Sequence, residues 1–332
     1  MVFPVAGQVE LVREEVEAPG PGQVLCASER SLISIGTELQ CLRGVFDPGT
    51  NWERWVRYPF RPGYCMAARV LEVGAEVQNF KSGQLVACRQ PHGQYFLADA
   101  DQLIALPQGI SAEQAVWVPI SLTAQQGIRR AALELGETVA VVGLGMIGQL
   151  VVQYLRLQGA RRIIGIDPLK NRLELAEDSG LTDSLNIDIR EAAEGLREIT
   201  GGSMPDVLFE VTGHPEVLAH TTSLVRTLGR IVLLGDTATP LQQTLGPGVV
   251  SNSVSILGVH VTTSPATASV FARWSYEAMT RLFFDYLLDG RMHVGKLISH
   301  VLPFSEAPRI YQSLREDRSK YMGVLFDWAE DR

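Results

Sequence analysis

The sequence predicts an α/β protein in which a β-rich, barrel-like domain accompanies a domain built on a doubly wound parallel sheet. Three observations predict this fold class. Short β-type runs separated by Gly and Pro fill the chain to about residue 110, strands alternate with helices from about residue 135, and a G-x-G-x-x-G motif follows the first of those strands. At 332 residues, the chain has the length expected of two domains.

The N-terminal region is predicted to be β-rich because its apolar residues recur in short runs that Gly and Pro interrupt. The first residues of the chain alternate as a strand would, and further runs follow at close spacing. The predicted strands lie in QVELVREEV, QVLCASERSL, ARVLEVG, QLVACRQ and QYFLADADQLIALP. Closely spaced short strands of this kind are typical of a barrel.

The second region is predicted to form a parallel sheet because its strands are separated by helical segments, and parallel strands need crossover connections. Both faces of such a sheet are covered. The six predicted strands lie in TVAVVG, RRIIGID, DSLNI, PDVLFEVTG, RIVLLGD and SVSILGVHV. The last part of the chain returns to mixed structure, with a helix around SYEAMTRLFFDYLLDG and a strand at HVLPF.

The glycine motif lies at a strand-to-helix turn, where free N–H groups and the helix dipole can hold a diphosphate. Gly143 permits the tight turn, Gly145 lets the diphosphate approach the backbone, and Gly148 lets helix and strand pack closely. This context favours a dinucleotide over an ordinary glycine-rich turn. The predicted cofactor contacts here are Gly143, Gly145, Met146, Ile147 and Gly148.

An acidic residue ends the next predicted strand. Asp167 follows Gly143 by 24 residues, and an acid at this place accepts hydrogen bonds from the ribose hydroxyls and repels a 2′-phosphate. We therefore expect NAD(H) to bind better than NADP(H). Arg172 is a further expected cofactor contact.

Composition and charge exclude several classes. The formal net charge of −8 argues against nucleic acid or an anionic membrane as partner. No apolar run approaches the ~20 residues of a membrane span, and the N-terminus lacks the features of a signal peptide. We expect a soluble, cytoplasmic protein that acts on a small molecule. The four cysteines form no C-x-x-C pair, which favours buried free thiols over disulfides or a closed zinc site.

The chain resembles the medium-chain dehydrogenase/reductase superfamily over nearly its full length. The resemblance rests on GPGQVL, SLISIGTELQCLRG, RPGYCMAARVLEVGAEV, LPQGIS, LTAQQGIRRA, VVGLGMIG, IGIDPLKNRLELA, TLGRIVLLG and LISHVLPFSEAPRIYQSLREDRSKYMGVLF. It implies a GroES-like catalytic domain over residues 1–120, a Rossmann NAD-binding domain over 121–262 and a C-terminal segment over 263–332 that completes the catalytic domain. It also implies cofactor contacts at Thr123, which matches the threonine that meets the nicotinamide, and at Thr212 and Gly235.

The departures from the family concern zinc. Zinc-dependent members place ligands at positions that match Ile35, Tyr64 and Pro119 of this chain, and Ile and Pro offer no ligand atom in their side chains. The family's loop that holds a structural zinc on four cysteines is also absent. The sequence therefore resembles a zinc-free member, and no metal site is predicted.

Without zinc, hydride transfer still needs a hydrogen-bond donor toward the substrate oxygen and a path for a proton. Tyr64 could supply that hydroxyl, or it could simply fill the space of the metal site. Thr37 matches the proton-relaying hydroxyl of zinc members, but it could equally cap a turn. Glu38 matches an acid behind the metal ligands, where a structural role is favoured. His92 is a further candidate for the substrate pocket.

The aromatic and basic segment at residues 51–64, NWERWVRYPFRPGY, precedes the Tyr64 turn. It could be a lid over a ring-bearing or anionic substrate, or a contact between domains or subunits. Its sequence favours neither alternative.

Three functions compete. SLISIGTE is similar to the corresponding stretch of the bacteriochlorophyllide hydroxyethyl dehydrogenase branch, which favours a zinc-independent, NAD(H)-dependent oxidoreductase that interconverts a secondary alcohol and a ketone on a ring-bearing or sugar-like metabolite. An NAD(P)H-dependent enoyl or quinone reductase is the second, and a decayed NAD-binding protein is the third. The family architecture also implies a homodimer formed along the last Rossmann strand, SVSILGVHV.

Overall fold

The structure, a computed structural model, describes residues 1–265 and 267–329. Two compact units make up this part of the chain. Unit 1 comprises Met1–Ile120 together with the described residues from Thr280 onward, and unit 2 comprises Ser121–Met279. The sequence analysis expected the second boundary at residues 262 and 263, whereas the structure places it at 279 and 280.

The later boundary has a physical cause within unit 2. The Arg129 guanidinium lies 3.5 Å from the centre of the Trp274 ring, and Gln125 Nε2 donates to the Met279 carbonyl at 2.9 Å. These contacts hold the segment that follows the last strand of the parallel sheet. The C-terminal segment that completes unit 1 therefore begins later than residue 263.

Thirteen strands are found in the described part of the chain. They are β1 Gln23–Leu32, β2 Met66–Val73, β3 Leu85–Cys88, β4 Tyr95–Asp99, β5 Ile104–Ala105, β6 Thr138–Val142, β7 Arg162–Ile166, β8 Asp183–Leu185, β9 Val207–Glu210, β10 Arg230–Leu233, β11 Ser255–Gly258, β12 Ile298–Pro303 and β13 Gly323–Asp327.

Ten α-helices accompany them in the same residues. They are α1 Ile35–Arg43, α2 Asn51–Trp55, α3 Ala112–Ala115, α4 Val118–Ala131, α5 Met146–Gln158, α6 Lys170–Glu177, α7 Ala192–Thr200, α8 Val217–Thr221, α9 Tyr276–Leu288 and α10 Ala307–Glu316.

Unit 2 is built on the predicted parallel sheet. Its six strands lie in the order β11-β10-β9-β6-β7-β8, and every neighbouring pair is parallel. All five residues of β6 and all four of β9 are buried, as expected for central strands covered on both faces. The direction of the chain across the sheet reverses between β6 and β9, the place at which doubly wound folds bind nucleotides. The predicted fold class is confirmed.

Unit 1 contains a mostly antiparallel sheet. Strand β1 pairs with β2, β4 and β13, and only the β12–β13 pair is parallel. The apolar side chains of one face form a buried core, which contains Val24, Cys26, Met66, Ala68, Val70, Phe80, Val86, Cys88, Ala98 and Leu103. This arrangement agrees with the β-rich domain predicted for the N-terminal region.

One predicted strand is wrong. The stretch QVELVREEV, residues 8–16, forms no strand, and its only bridge joins Val2 to Glu10. Leu11, Val12 and Val16 are each about 41–42% exposed. Apolar and polar residues alternate in this segment, but it joins no sheet edge on which its apolar side chains could be buried.

All four cysteines are free and buried, as their scattered spacing predicted. No helix among the described residues is long and apolar enough to span a bilayer.

The oligomeric state stays a prediction. Strand β11 lies at one edge of the parallel sheet, and an open edge can pair with the same edge of a second copy. We expect light scattering to give twice the chain mass of 36.4 kDa. A mass of one chain at every concentration would contradict the homodimer.

Candidate active site and cofactor site

The three glycines of the motif have different steric environments at the end of β6. Gly143 has φ +90°, in the left-handed region that favours glycine. A Cβ on Gly148 would lie 2.1 Å from the Gly143 carbonyl oxygen, so the helix can pack against the turn only without a side chain there. A Cβ on Gly145 would meet no atom within 4 Å, which leaves open space beside the turn. This geometry fits a diphosphate at Gly145.

Helix α5 begins directly after this turn. Gly145 is its N-cap, and Met146, Ile147 and Gly148 form its first turn. The first N–H groups of a helix have no partner within the helix, and the helix dipole makes this end attractive to anions. The predicted cofactor contacts in this stretch therefore lie together at one helix start.

Asp167 fixes the turn from the end of the neighbouring strand β7. Its side chain is buried, its Oδ2 accepts the Leu144 N–H at 2.8 Å, and its Oδ1 accepts the Leu169 N–H at 2.9 Å. Arg172 Nη1 lies 3.7 Å from Asp167 Oδ2. The negative charge is thus held against the glycine turn, with Arg172 beside it.

Sequence reasoning missed Gln149, which connects these two loops. Its side chain is fully buried, and its Nε2 donates to the carbonyls of Leu144 at 3.1 Å and Arg172 at 2.8 Å. No sequence pattern singles out this residue, because only the tertiary structure shows that its amide is buried and needs partners.

Thr212 and Gly235 also lie at the carboxyl end of the sheet. A Cβ on Gly143 would lie 2.8 Å from Thr212 Cγ2, and one on Gly235 would lie 2.1 Å from the Gly213 nitrogen. The Thr212 backbone N–H donates to Glu210 Oε1 at 2.7 Å. Burial raises the pKa of Glu210, while the hydrogen bonds from Thr212 oppose that effect. Three predicted contacts, Gly143, Thr212 and Gly235, are thus neighbours; Thr123 lies on α4, partly exposed.

In unit 1, three hydroxyl groups lie together around Tyr64. Ser34 Oγ is 2.5 Å from Tyr64 OH, and Tyr64 OH donates to Thr37 Oγ1 at 3.3 Å. Ser34 and Thr37 belong to the start of helix α1, while Tyr64 comes just before strand β2. The structure therefore brings the predicted Tyr64 and Thr37 together and adds Ser34, which the sequence analysis did not single out.

Glu38 lies buried beneath this cluster with a full set of donors. Its Oε1 accepts the Ser34 backbone N–H at 2.8 Å. Its Oε2 is 3.1 Å from His92 Nε2 and also accepts the Tyr311 hydroxyl. Burial and the Glu38 charge raise the pKa of Tyr311, so its hydroxyl stays a donor. Glu38 thus ties the start of α1 to two distant parts of unit 1.

His92 is a buried member of this network, and its expected place in the substrate pocket stays a prediction. The side chain is 2% exposed, and its Nδ1 lies 2.8 Å from Ser31 Oγ. Trp328 Nε1 donates to the same Ser31 oxygen. Both ring nitrogens of His92 therefore have hydrogen-bond partners, Ser31 Oγ at Nδ1 and Glu38 Oε2 at Nε2.

The same histidine constrains the turn that carries Tyr64. Gly63 has φ +99°, and a Cβ there would lie 2.7 Å from His92 Cδ2. Any side chain at Gly63 would therefore displace His92 or the turn. His92 acts on Tyr64 through packing.

The Tyr64 side chain is partly exposed in unit 1, while its hydroxyl sits among the groups described above. Burial is the largest influence and raises the pKa of Tyr64. The hydrogen bonds with Ser34 and Thr37 lower it, and the nearby Cys65 and Glu38 raise it further. The Arg89 guanidinium lies 5.6 Å from the centre of the ring. At neutral pH the phenol therefore keeps its proton and can donate it.

The residues at the family's catalytic zinc positions do not fit a zinc ion. Ile35 and Pro119 are both buried and offer no donor atom, and the Tyr64 hydroxyl is engaged with Ser34 and Thr37. Within residues 1–265 and 267–329, no three His, Cys, Asp or Glu side chains are grouped so that they could hold a metal ion.

The aromatic segment at 51–64 packs on its own unit. Trp52 is buried and stacks on Phe46 with 6.2 Å between ring centres, and Trp55 meets Phe60 edge to face at 5.3 Å. Tyr58 OH donates to the Cys41 carbonyl at 2.5 Å. These contacts anchor the segment at several points, while the roles of lid and interface stay alternative predictions.

Comparisons with known proteins agree with this architecture. Residues 147–276 match the family of the zinc-binding dehydrogenases. The matched residues run from α5 to the start of α9 within unit 2. They do not include positions 35, 64 or 119, so this family's name says nothing about zinc at those positions.

One curated relative is the D-guloside 3-dehydrogenase of Escherichia coli (strain K12), which is 27% identical over 80% of this chain and 78% of its own length. Two solved structures share the fold over 98% of both chains at 20% identity. An alcohol dehydrogenase from Escherichia coli CFT073 in complex with NADH has a TM-score of 0.80. A dehydrogenase from Sinorhizobium meliloti 1021, described as zinc-binding and solved with NADP, has a TM-score of 0.79.

The matched family and the dehydrogenase relative, together with the glycine turn of unit 2, support a member of the medium-chain dehydrogenase/reductase superfamily. The chain is an oxidoreductase.

Proposed function

We propose that this protein is a zinc-independent, NAD(H)-dependent oxidoreductase that interconverts a secondary alcohol and a ketone, with the Tyr64 hydroxyl facing the substrate oxygen. The observation that carries the proposal is the cluster of the Tyr64, Ser34 and Thr37 hydroxyl groups, in which Tyr64 stands at a position that matches a zinc ligand of the family. A protein that had lost its catalytic activity would not require hydroxyl groups ordered in this way.

The cofactor would be held by unit 2. Its diphosphate would lie at the start of α5, against Gly145, and its adenosine ribose would lie at the Asp167 carboxylate. When bound, a nicotinamide cofactor supplies or accepts the hydride. The buried Asp167 charge supports a preference for NAD(H), because a 2′-phosphate would meet it at close range.

Tyr64 would serve as the acid. Its neutral phenol suits donation to a carbonyl oxygen, since burial raises its pKa and keeps the proton in place. Thr37, which is partly exposed and accepts from Tyr64, would return the proton from solvent. The Glu38 and His92 network would hold these groups in position. Because Tyr64 is a proton donor in this proposal, the proposal favours ketone reduction over alcohol oxidation.

The substrate class rests on the likeness to a relative that acts on a guloside, together with the aromatic segment before Tyr64. A cyclic or sugar-like secondary alcohol fits both. Enoyl and quinone reduction stay the alternative, and the same NADH assay tests them side by side with panels of cyclic alcohols, ketones, enones and quinones.

The first prediction concerns Tyr64. With the substrate found in that panel, Tyr64→Phe should lower kcat by about 10²–10⁴-fold, because it removes only the proton donor. Its Kd for NADH should not change, since the ring volume is kept. Thr37→Val should lower kcat in the same direction. Steady-state kinetics and NADH titration measure both effects.

Tyr95→Phe is the matched control, because it removes an exposed phenol hydroxyl from strand β4, outside the proposed site and outside the aromatic segment at 51–64. It should keep normal turnover. If Tyr64→Phe and Thr37→Val both retain at least half of the normal rate while chemistry limits turnover, the proposed role of the hydroxyl cluster is refuted.

The second prediction concerns the cofactor. Asp167→Ser should shift the ratio of the two dissociation constants toward NADP(H) by about tenfold or more, which corresponds to ~1.4 kcal/mol. Asp167→Asn should act in the same direction, because it keeps the shape and removes the charge. Fluorescence titration with NADH and NADPH measures the ratio. Tighter binding of NADPH by the unmodified protein would be incompatible with the assignment.

A further inference from the structure

The hydroxyl of Ser34 is turned away from the helix that it begins. Ser34 is the N-cap of α1, a position where a serine hydroxyl ordinarily accepts an N–H of the first helical turn. Its side chain makes no such bond. The hydroxyl lies 2.5 Å from Tyr64 OH instead, so the usual capping interaction is given up for a contact with the tyrosine.

The direction of the hydrogen bonds follows from the number of protons. A hydroxyl donates one proton, and the Tyr64 proton points to Thr37 Oγ1. The Tyr64 oxygen is then left to accept, and the Ser34 hydroxyl is the neighbouring donor. In this arrangement of protons, Ser34 is the donor to Tyr64.

The backbone of Ser34 is fixed independently of its side chain. Its N–H donates to Glu38 Oε1, and Glu38 is held in turn by His92 and Tyr311. Ser34 is 4% exposed, so water does not compete freely for its hydroxyl. The donor is thus held in place before any substrate arrives.

We propose that Ser34 is a positioning residue for Tyr64, whose hydroxyl orients the Tyr64 oxygen and stabilises the negative charge left there during the reaction. The inference rests on the proposed function of Tyr64. In ketone reduction the carbonyl carbon would receive a hydride from NADH, which would be oxidised to NAD⁺, while Tyr64 protonates the carbonyl oxygen. The Tyr64 O–H bond breaks, the O–H bond of the product alcohol forms, and the electron pair of the broken bond stays on the Tyr64 oxygen. Ser34 keeps its proton throughout and donates a stronger, charge-assisted hydrogen bond.

The surroundings of Tyr64 disfavour its ionised form, so a hydrogen-bond donor to its oxygen has a large effect. Burial raises the pKa of Tyr64, and the nearby Cys65 and Glu38 act in the same direction. The hydrogen bonds with Ser34 and Thr37 oppose them, and the Arg89 guanidinium lies over the ring. Without the Ser34 hydroxyl, the ionised form of Tyr64 loses its shorter hydrogen bond.

The test measures the ionisation of residue 64 without any substrate. One fluorinated tyrosine residue replaces Tyr64 in the full-length protein. Its phenol is more acidic than that of tyrosine, and its fluorine NMR signal is followed against pH. Ser34→Ala should raise the pKa of this label by about one to two pH units, since a hydrogen bond to a charged group is lost. Ser34→Thr, which keeps a hydroxyl, should restore most of the original value.

Ser121→Ala is the matched control, because Ser121 Oγ lies 2.6 Å from Tyr154 OH in a second buried serine–tyrosine pair within unit 2. It should leave the pKa of the label unchanged. An unchanged pKa in Ser34→Ala, in a protein whose circular dichroism is that of the folded chain, would overturn the inference.

Kinetics separate this inference from the proposed function. Ser34→Ala should lower kcat and kcat/KM together, with the Kd for NADH unchanged, and Ser34→Thr should recover turnover. If the label responds to Ser34→Ala but Tyr64→Phe keeps full turnover, the proposed function fails while the coupling between Ser34 and Tyr64 stands. If Tyr64→Phe is impaired but the label does not respond, only the role of Ser34 fails.

Discussion

The buried carboxylate of Glu38 is the constraint on which the rest of the candidate active site depends. A charged group that is 1% exposed is costly unless hydrogen bonds replace the water that it has lost. Glu38 obtains them from Ser34, His92 and Tyr311, which belong to three separate parts of unit 1. Loss of one donor to such a group typically costs about 1–3 kcal/mol. The requirement to satisfy one charge therefore fixes the start of α1, the His92 loop and α10 with respect to each other.

This arrangement explains how the hydroxyl cluster around Tyr64 keeps a defined geometry. A metal ion holds its ligands by coordination, whereas hydroxyl groups are free to rotate unless their surroundings fix them. Here Glu38 accepts the Ser34 backbone N–H, and the lack of a side chain at Gly63 lets the Tyr64 turn pack closely against His92. The donors are thus oriented by the protein before substrate binds, which is the condition under which hydrogen bonds contribute most to catalysis. In unit 2, the Asp167 carboxylate likewise fixes the glycine turn, because it accepts the Leu144 N–H.

The parts of the molecule that could be predicted from the sequence are those determined by local patterns. The six parallel strands and the glycine turn were predicted because apolar runs, glycines and Asp167 follow each other within short stretches. The Ser34, Tyr311 and Trp328 contributions could not be predicted in this way. Tyr311 reaches Glu38 across 273 positions, and Trp328 reaches Ser31 across 297. His92 was a candidate for the substrate pocket because it lies in the shortened loop where substrate-pocket residues arise in the family, and only the tertiary structure reveals that both ring nitrogens have hydrogen-bond partners. Residues 8–16 alternate like a strand but have no sheet edge to join.

The central claim is that hydroxyl groups take the place of zinc in this protein, and metal analysis of the active protein tests it most directly. The protein would be purified, treated with a chelator, and assayed for turnover and for zinc content in the same sample. The account predicts full turnover at a zinc content far below one ion per chain, with no gain in rate when zinc is added back. About one tightly bound zinc per chain, with turnover that falls and recovers in proportion to it, would contradict the account.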